Sequence, residues 1–150
     1  MKKTTRELEG IFLNSNKQRI DSDISQVSEE MFNVSFRDYF RDLLLTKKIT
    51  QQMLFLRADI AENYGYKLIS GEKHTNQRDV IIRLCYAGEF TFEETQRALK
   101  LYGMSPLYAR IKRDALLITA FNNRKGNILD LNQYLKENGE NPLKNCGNIE

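Results

Sequence analysis

The sequence predicts an all-α fold on three observations. Apolar residues recur at helical spacing from Phe36 to Leu135, helix-capping residues stand at the joints between these runs, and nothing alternates with period two over a useful length. Seven or so short helices joined by turns of a few residues follow from that pattern.

The elements read as follows. Ser35 is placed to cap a helix over 36–47, with Asp38 in its first turn, where a carboxylate favours the positive end of the helix dipole. Phe36, Tyr39, Phe40, Leu43 and Leu44 supply its apolar face. Thr50 caps a second helix with the dense block Met53-Leu54-Phe55-Leu56, and a break follows at Asp59. Ile60, Tyr64, Leu68 and Ile69 mark one face of a third helix that Gly71 ends. Asn76 is expected to cap a fourth, with Val80, Ile81, Leu84 and Cys85 inward. Thr91-Phe92-Glu93-Glu94 reads as a capping box opening a fifth, which Gly103 stops. After Ser105-Pro106, a helix from about Ile111 to Asn123 is expected to turn Ile111, Ala115, Ile118 and Phe121 inward. The last helix follows Asn127, carries Ile128, Leu131, Tyr134 and Leu135, and stops before Gly139 and Pro142.

A chain of 150 residues with 41% hydrophobic and 29% charged residues, two prolines and eight glycines suits one ordered domain with its own core. Residues 1–34 read as a loosely attached N-terminal arm with one short helical candidate, RELEGIFL, followed by a polar stretch. Residues 35–143 form the helical domain with its C-terminal helical extension, and 144–150 a tail. There is no run of about 18 apolar residues and no signal-peptide pattern, so no membrane partner is expected and the expected location is cytoplasmic. Two cysteines without a CxxC spacing and one histidine argue against a metal site; Cys85 reads as core and Cys146 as an exposed bystander. No nucleophile-base pair or phosphate-cradling glycine loop is evident, so neither an enzyme nor a cofactor is predicted.

Net charge is only +3, so its distribution matters more than its total. From Arg97 to Lys125 seven basic residues face one acid, Asp114, whereas from Arg57 to Arg83 five basic residues face four acids. The basic density lies downstream of the stretch Thr50 to His74, TQQMLFLRADIAENYGYKLISGEKH.

That stretch has the layout of a DNA-reading helix-turn-helix: a supporting helix, a tight turn and a second helix with a polar outer face. Asp59 stands in the turn, where it tolerates a left-handed backbone. Phe55 is large and Gly65, ten residues on, is small, which predicts that the ring packs over the glycine at the crossing. Ala61, Glu62, Asn63, Tyr66 and Lys67 then remain outside. Asn63 suits adenine, Lys67 a base or phosphate, Tyr66 a phosphate or thymine methyl, and Glu62 the amino group of cytosine. Lys73, His74 and Arg78 follow where a phosphate is favoured.

The five helices from Ser35 to Gly103, with RADIAENYGYKLISGEKHTNQRDVIIRLC and ALKLYGMSPLYAR, resemble the λ-repressor-like helix-turn-helix family, also called the XRE type. The likeness covers about Phe36 to Leu143. It is closer to a branch common in gut-dwelling Firmicutes, sometimes encoded near or fused to serine/threonine protein kinases. The resemblance implies a λ-repressor-like five-helix core with additional C-terminal helices and a short N-terminal helical arm. By the family pattern Gln51 and Gln52 match phosphate-contacting positions, and Glu62, Asn63, Tyr66 and Lys67 match base-facing positions of a reading helix over 61–70. Asp59 for Gly, Phe55 for Ala, Gly65 for a β-branched residue and Glu62 on the reading face depart from that pattern.

Two functions follow as expectations. The first is a sequence-specific transcriptional regulator that binds double-stranded DNA, as a homodimer because one reading helix covers few base pairs. The alternative is a helical adaptor in a kinase-linked signalling system, with weakened DNA binding and a protein partner at the Glu62/Tyr66 face or the Arg110-Lys112-Arg113 segment. In that reading a serine/threonine protein kinase is the partner, and Thr4, Thr5, Ser22, Ser25, Ser28 and Ser35 are candidate phosphorylation sites.

Overall fold

The computed structural model describes residues 34–124 and 126–145, which hold seven α-helices and no strand. They are α1 (Phe36–Lys47), α2 (Gln51–Ala58), α3 (Glu62–Ser70), α4 (Arg78–Ala87), α5 (Phe92–Leu101), α6 (Lys112–Asn123) and α7 (Ile128–Glu137). The chain divides after Val34, and all seven helices belong to the unit that begins at Ser35. The candidate helix RELEGIFL, the threonines and serines from Thr4 to Ser28, Lys125 and Cys146 lie outside the described residues.

Most helices start and stop where local chemistry dictates. The Ser35 hydroxyl accepts from the Asp38 amide at 3.0 Å and that of Thr50 from the Met53 amide at 3.1 Å, each satisfying an amide that the helix leaves without a partner. Thr91 with Glu94, and Asn127 with Asp130, form reciprocal capping boxes. Lys48, Asp59 and Gly71 end α1, α2 and α3 in the left-handed region, at φ 60°, 55° and 87°. Asp59 therefore does adopt the conformation for which glycine is usual.

The start of α4 differs from expectation. Asn76 is exposed and Gln77 occupies the cap position without a side-chain bond. Instead the buried Thr75 hydroxyl accepts from the Gln77 amide at 3.1 Å, a local turn that competes with a cap at Asn76.

Helix α4 is the axis of the domain, with every residue from Val80 to Ala87 buried. α2, α5 and α7 pack on it, α1 lies against α3 and α5, and α6 against α5 and α7. Phe36, Phe40 and Leu44 carry the inward face of α1, and Phe40 meets Phe90 with ring centroids 4.6 Å apart. Two apolar stripes are narrower than the sequence suggests. In α2 Leu54 and Phe55 are buried while Leu56 is 82% exposed. In α6 the inward residues are Asp114, Leu117 and Phe121, and Ile111 precedes the helix, 52% exposed. The apolar content of α6 fits either register; a buried carboxylate decides between them, because Asp114 has partners across the fold.

Candidate nucleic-acid interface

Phe55 and Gly65 meet at the crossing of α2 and α3. A Cβ built on Gly65 would lie 2.8 Å from Cγ of the Phe55 ring and closer still to its edge, so only glycine fits beneath the ring in this position. Gly65, Tyr64, Leu68 and Ile69 are buried, which rotates Ala61, Glu62, Asn63 and Tyr66 to the outer face, with Lys67 half-buried at its border. Tyr66 lies edge-on to Phe55, with centroids 5.0 Å apart, and is held by the same contact. Local desolvation, the charge of Glu62 and a hydrogen bond to that carboxylate push the Tyr66 phenol above its ordinary value. Glu62 and Tyr66 thus form one i,i+4 pair on this face.

At the start of α2, Gln51 and Gln52 part ways. Gln52 is exposed, whereas Gln51 is half-buried with its amide oxygen enclosed by protein. Thr50, Gln52, Met53, Leu56, Ile60 and Glu62 border an open groove along the outside of α2 and the turn.

Lys73 and His74 are exposed in the turn between α3 and α4. The Lys73 amide donates to the Lys67 carbonyl at 3.0 Å, closing the end of α3 around Gly71. The His74 ring stacks on Tyr102 at 4.6 Å with planes 12° apart, and the Tyr102 hydroxyl accepts from the Thr75 amide at 2.9 Å. The end of α5 therefore supports this turn.

Arg78 has a different place from the one its position in the sequence suggests. Its guanidinium donates to the Ser105 and Pro106 carbonyls at 3.3 and 3.2 Å and to the buried Asp114 carboxylate. Asp114 also accepts from the Tyr108 amide at 2.9 Å. A guanidinium engaged this way holds a loop and is not presented to a phosphate. One residue on, the pairing is reversed: Arg113 donates to both Asp79 oxygens at 2.8 and 2.9 Å. The Arg78-Asp79 and Arg113-Asp114 dipeptides thus exchange ion pairs across the junction of α4 and α6, so Arg113 is also withdrawn from the Arg110-Lys112-Arg113 segment as a docking cation.

Other cations of the downstream run are partly internal too. Arg124 packs over the Tyr86 ring at 4.5 Å and donates to the Tyr86 and Phe90 carbonyls. Arg97 lies over the Tyr39 ring at 5.5 Å.

Sequence reasoning overlooked Arg83. It is 4% exposed and donates to the Ala58 carbonyl at 3.0 Å, the Leu143 carbonyl at 2.7 Å and the Lys144 carbonyl at 3.2 Å. Its signal was a cation on the inward stripe of a helix, which demands buried acceptors. Those acceptors join the end of α2 to the chain after α7. The same terminal stretch is fixed by Lys144 N donating to Asp79 at 3.0 Å and by Asn145 donating to Asp59 at 3.0 Å, so it reaches the turn before α3.

Among the described residues there is no group of three or more His, Cys, Asp or Glu placed to hold a metal ion, and no helix long and apolar enough to cross a membrane. Cys85 is buried; burial pushes its thiol well above the ordinary value, a shift that opposes formation of the reactive thiolate. Comparison with protein-family models, curated proteins and solved structures gives no match to this chain.

Proposed function

We propose that this chain is a sequence-specific DNA-binding transcriptional regulator of the λ-repressor-like helix-turn-helix type, with α1 to α5 as its five-helix core and residues 61–70 as its reading helix. The observation that carries this reading is the Phe55–Gly65 crossing, which brings α2 and α3 together and leaves Glu62, Asn63, Tyr66 and Lys67 along one outer face. Asn63 then offers a bidentate amide to adenine and Glu62 an acceptor for the cytosine amino group. Exposed Gln52, Lys73 and His74 are disposed around the ends of the motif for backbone contacts, whereas Arg78 positions its neighbours. A homodimer on two half-sites supplies the selectivity that one helix lacks. Fluorescence anisotropy with selected duplexes at a fixed salt concentration tests this. Asn63→Ala with Lys67→Ala is expected to lower specific affinity by at least tenfold with an unchanged fold. Equal affinity of wild type and double variant for every duplex rejects direct readout by α3.

One observation favours the adaptor as a second reading. Leu56 is 82% exposed and Met53 and Tyr66 each 40%, an apolar strip beside Glu62 that phosphates do not require. In that reading the groove receives a protein, with a serine/threonine protein kinase as the candidate implied by the family resemblance. Co-purification of a partner that survives nuclease treatment and is lost in Leu56→Glu supports it; partners that all vanish with nuclease reject it.

A further inference from the structure

The loop that follows α5 is tied at its start to the turn that carries Lys73 and His74 and, further on, to Arg78 at the start of α4. Tyr102, the last support of that turn, is also the start of the loop that runs to Lys112. The loop backbone is fastened at four points. Gln96 donates to the Leu107 carbonyl at 2.9 Å and accepts from the Leu107 amide at 2.7 Å. Arg78 holds the Ser105 and Pro106 carbonyls, and Asp114 the Tyr108 amide. Leu107 is buried beneath as an anchor. With its backbone immobilised, the loop still presents Tyr108 54% exposed, Arg110 exposed, and Lys112 with 66% of its side chain exposed.

We propose that the loop from Gly103 to Lys112 is a second contact with the phosphate backbone of duplex DNA, made by Tyr108, Arg110 and Lys112, an assignment that rests on the DNA-binding reading above. A phenol, a guanidinium and an ammonium are donors suited to phosphate oxygens, and a clamped backbone lowers the ordering cost of presenting them. α6 opens at Lys112 without a side-chain cap, and the acid in its first turn, Asp114, is paired with Arg78. Lys112 forms an ion pair with Glu140 at 3.8 Å, and Arg110 has no ion-pair partner among the described residues. Arg78, turned inward, holds two carbonyls of the loop that carries these cations.

The test measures duplex affinity by anisotropy between 50 and 200 mM salt for the full chain, Arg110→Ala/Lys112→Ala, and Lys136→Ala, an exposed lysine on α7 as a charge control. Each lost phosphate contact lowers the slope of log affinity against log salt by about 0.9. The double variant is expected to lose about 12-fold less affinity than wild type over this fourfold salt range, uniformly across duplex sequences. Lys136→Ala should match wild type, and Arg110→Lys should keep the wild-type slope. Binding by wild type with an unchanged slope in the double variant overturns the loop assignment and leaves reading by α3 standing. A slope change in Lys136→Ala at least half that of the double variant also overturns it, since the slope then follows net charge alone. Absence of wild-type duplex binding overturns both readings.

Discussion

The outer face of α2 and α3 and the seam between α4 and α6 are both rich in polar side chains, and they use them in opposite ways. On the first, Glu62, Asn63 and Gln52 face outward with Lys67 at the border, over an apolar support in which Phe55 covers Gly65 and Tyr66 leans on Phe55. In the second, Arg78, Asp79, Arg113 and Asp114 meet one another, and Arg83 nearby binds main-chain carbonyls at the end of α2 and in the chain after α7. A charged residue becomes a binding group when the fold offers it no partner. Of the described cations after α5, Arg113 and Arg124 fail that condition and Arg110 meets it, while Lys112 keeps a 3.8 Å ion pair with Glu140 on an exposed side chain.

The largest expected break in this comparison is Arg83→Ala. Removing a buried cation from the three carbonyls it binds is expected to cost about 3–5 kcal/mol, read as a lower midpoint in urea. A loss below about 1 kcal/mol would show that Arg83 is not the tie between α2 and the chain after α7. Asp114→Asn, which keeps the shape but removes the charge facing Arg78, is expected to cost about 1.5–3 kcal/mol. It should also free the Ser105–Lys112 loop, measurable as faster amide exchange at Tyr108.

Gly65→Ala probes the support of the other region. Overpacking against Phe55 is expected to cost about 1–3 kcal/mol, and Phe55→Leu combined with it should recover part of that loss, a coupling of at least about 0.5 kcal/mol. Strict additivity of the two substitutions would mean the ring does not press on residue 65. By contrast Asn63→Ala and Lys67→Ala should each leave stability within about 0.5 kcal/mol, since both lie on the outer face.

The smallest effect concerns pH, at the joint of α1 and α5. Burial opposes ionisation of Glu94, but hydrogen bonds from Lys47 and Thr91 and the Lys47 charge outweigh it and hold the carboxyl below its ordinary value of 4.5. A depressed carboxylate contributes stability that is complete above pH 4.5 and is lost as pH falls through its folded value. Glu94→Gln keeps the capping box and should flatten the acid limb of a stability–pH curve. An acid limb identical to that of wild type would place the titration elsewhere.

Much of the architecture was legible because its signals are local. Ser35, Thr50, Thr91 and Asn127 act within three residues of themselves, and Asp59 and Gly71 act through their own φ. The Phe55–Gly65 contact was also legible, since a glycine inside a helix needs a close neighbour to justify its cost. The start of α4 was misread because Asn76 and Thr75 are both competent turn residues, and the buried setting of Thr75 is not written in the local pattern. The inward face of α6 was misread for a related reason. An aspartate on a core stripe counts as an error until an arginine 36 positions away is brought to it.

What the sequence alone determined is the all-helical class, most helix boundaries and the pairing of a large with a small residue beneath the outer face of α3. These depend on dihedral preferences, on i to i+4 spacing and on side-chain volume, all carried by the chain itself. Only the tertiary structure decided which cations are free. Arg78, Arg83, Arg113 and Arg124 face inward because carboxylates and carbonyls 25 to 61 residues distant meet them there, and desolvating a cation is tolerable only where such partners are supplied.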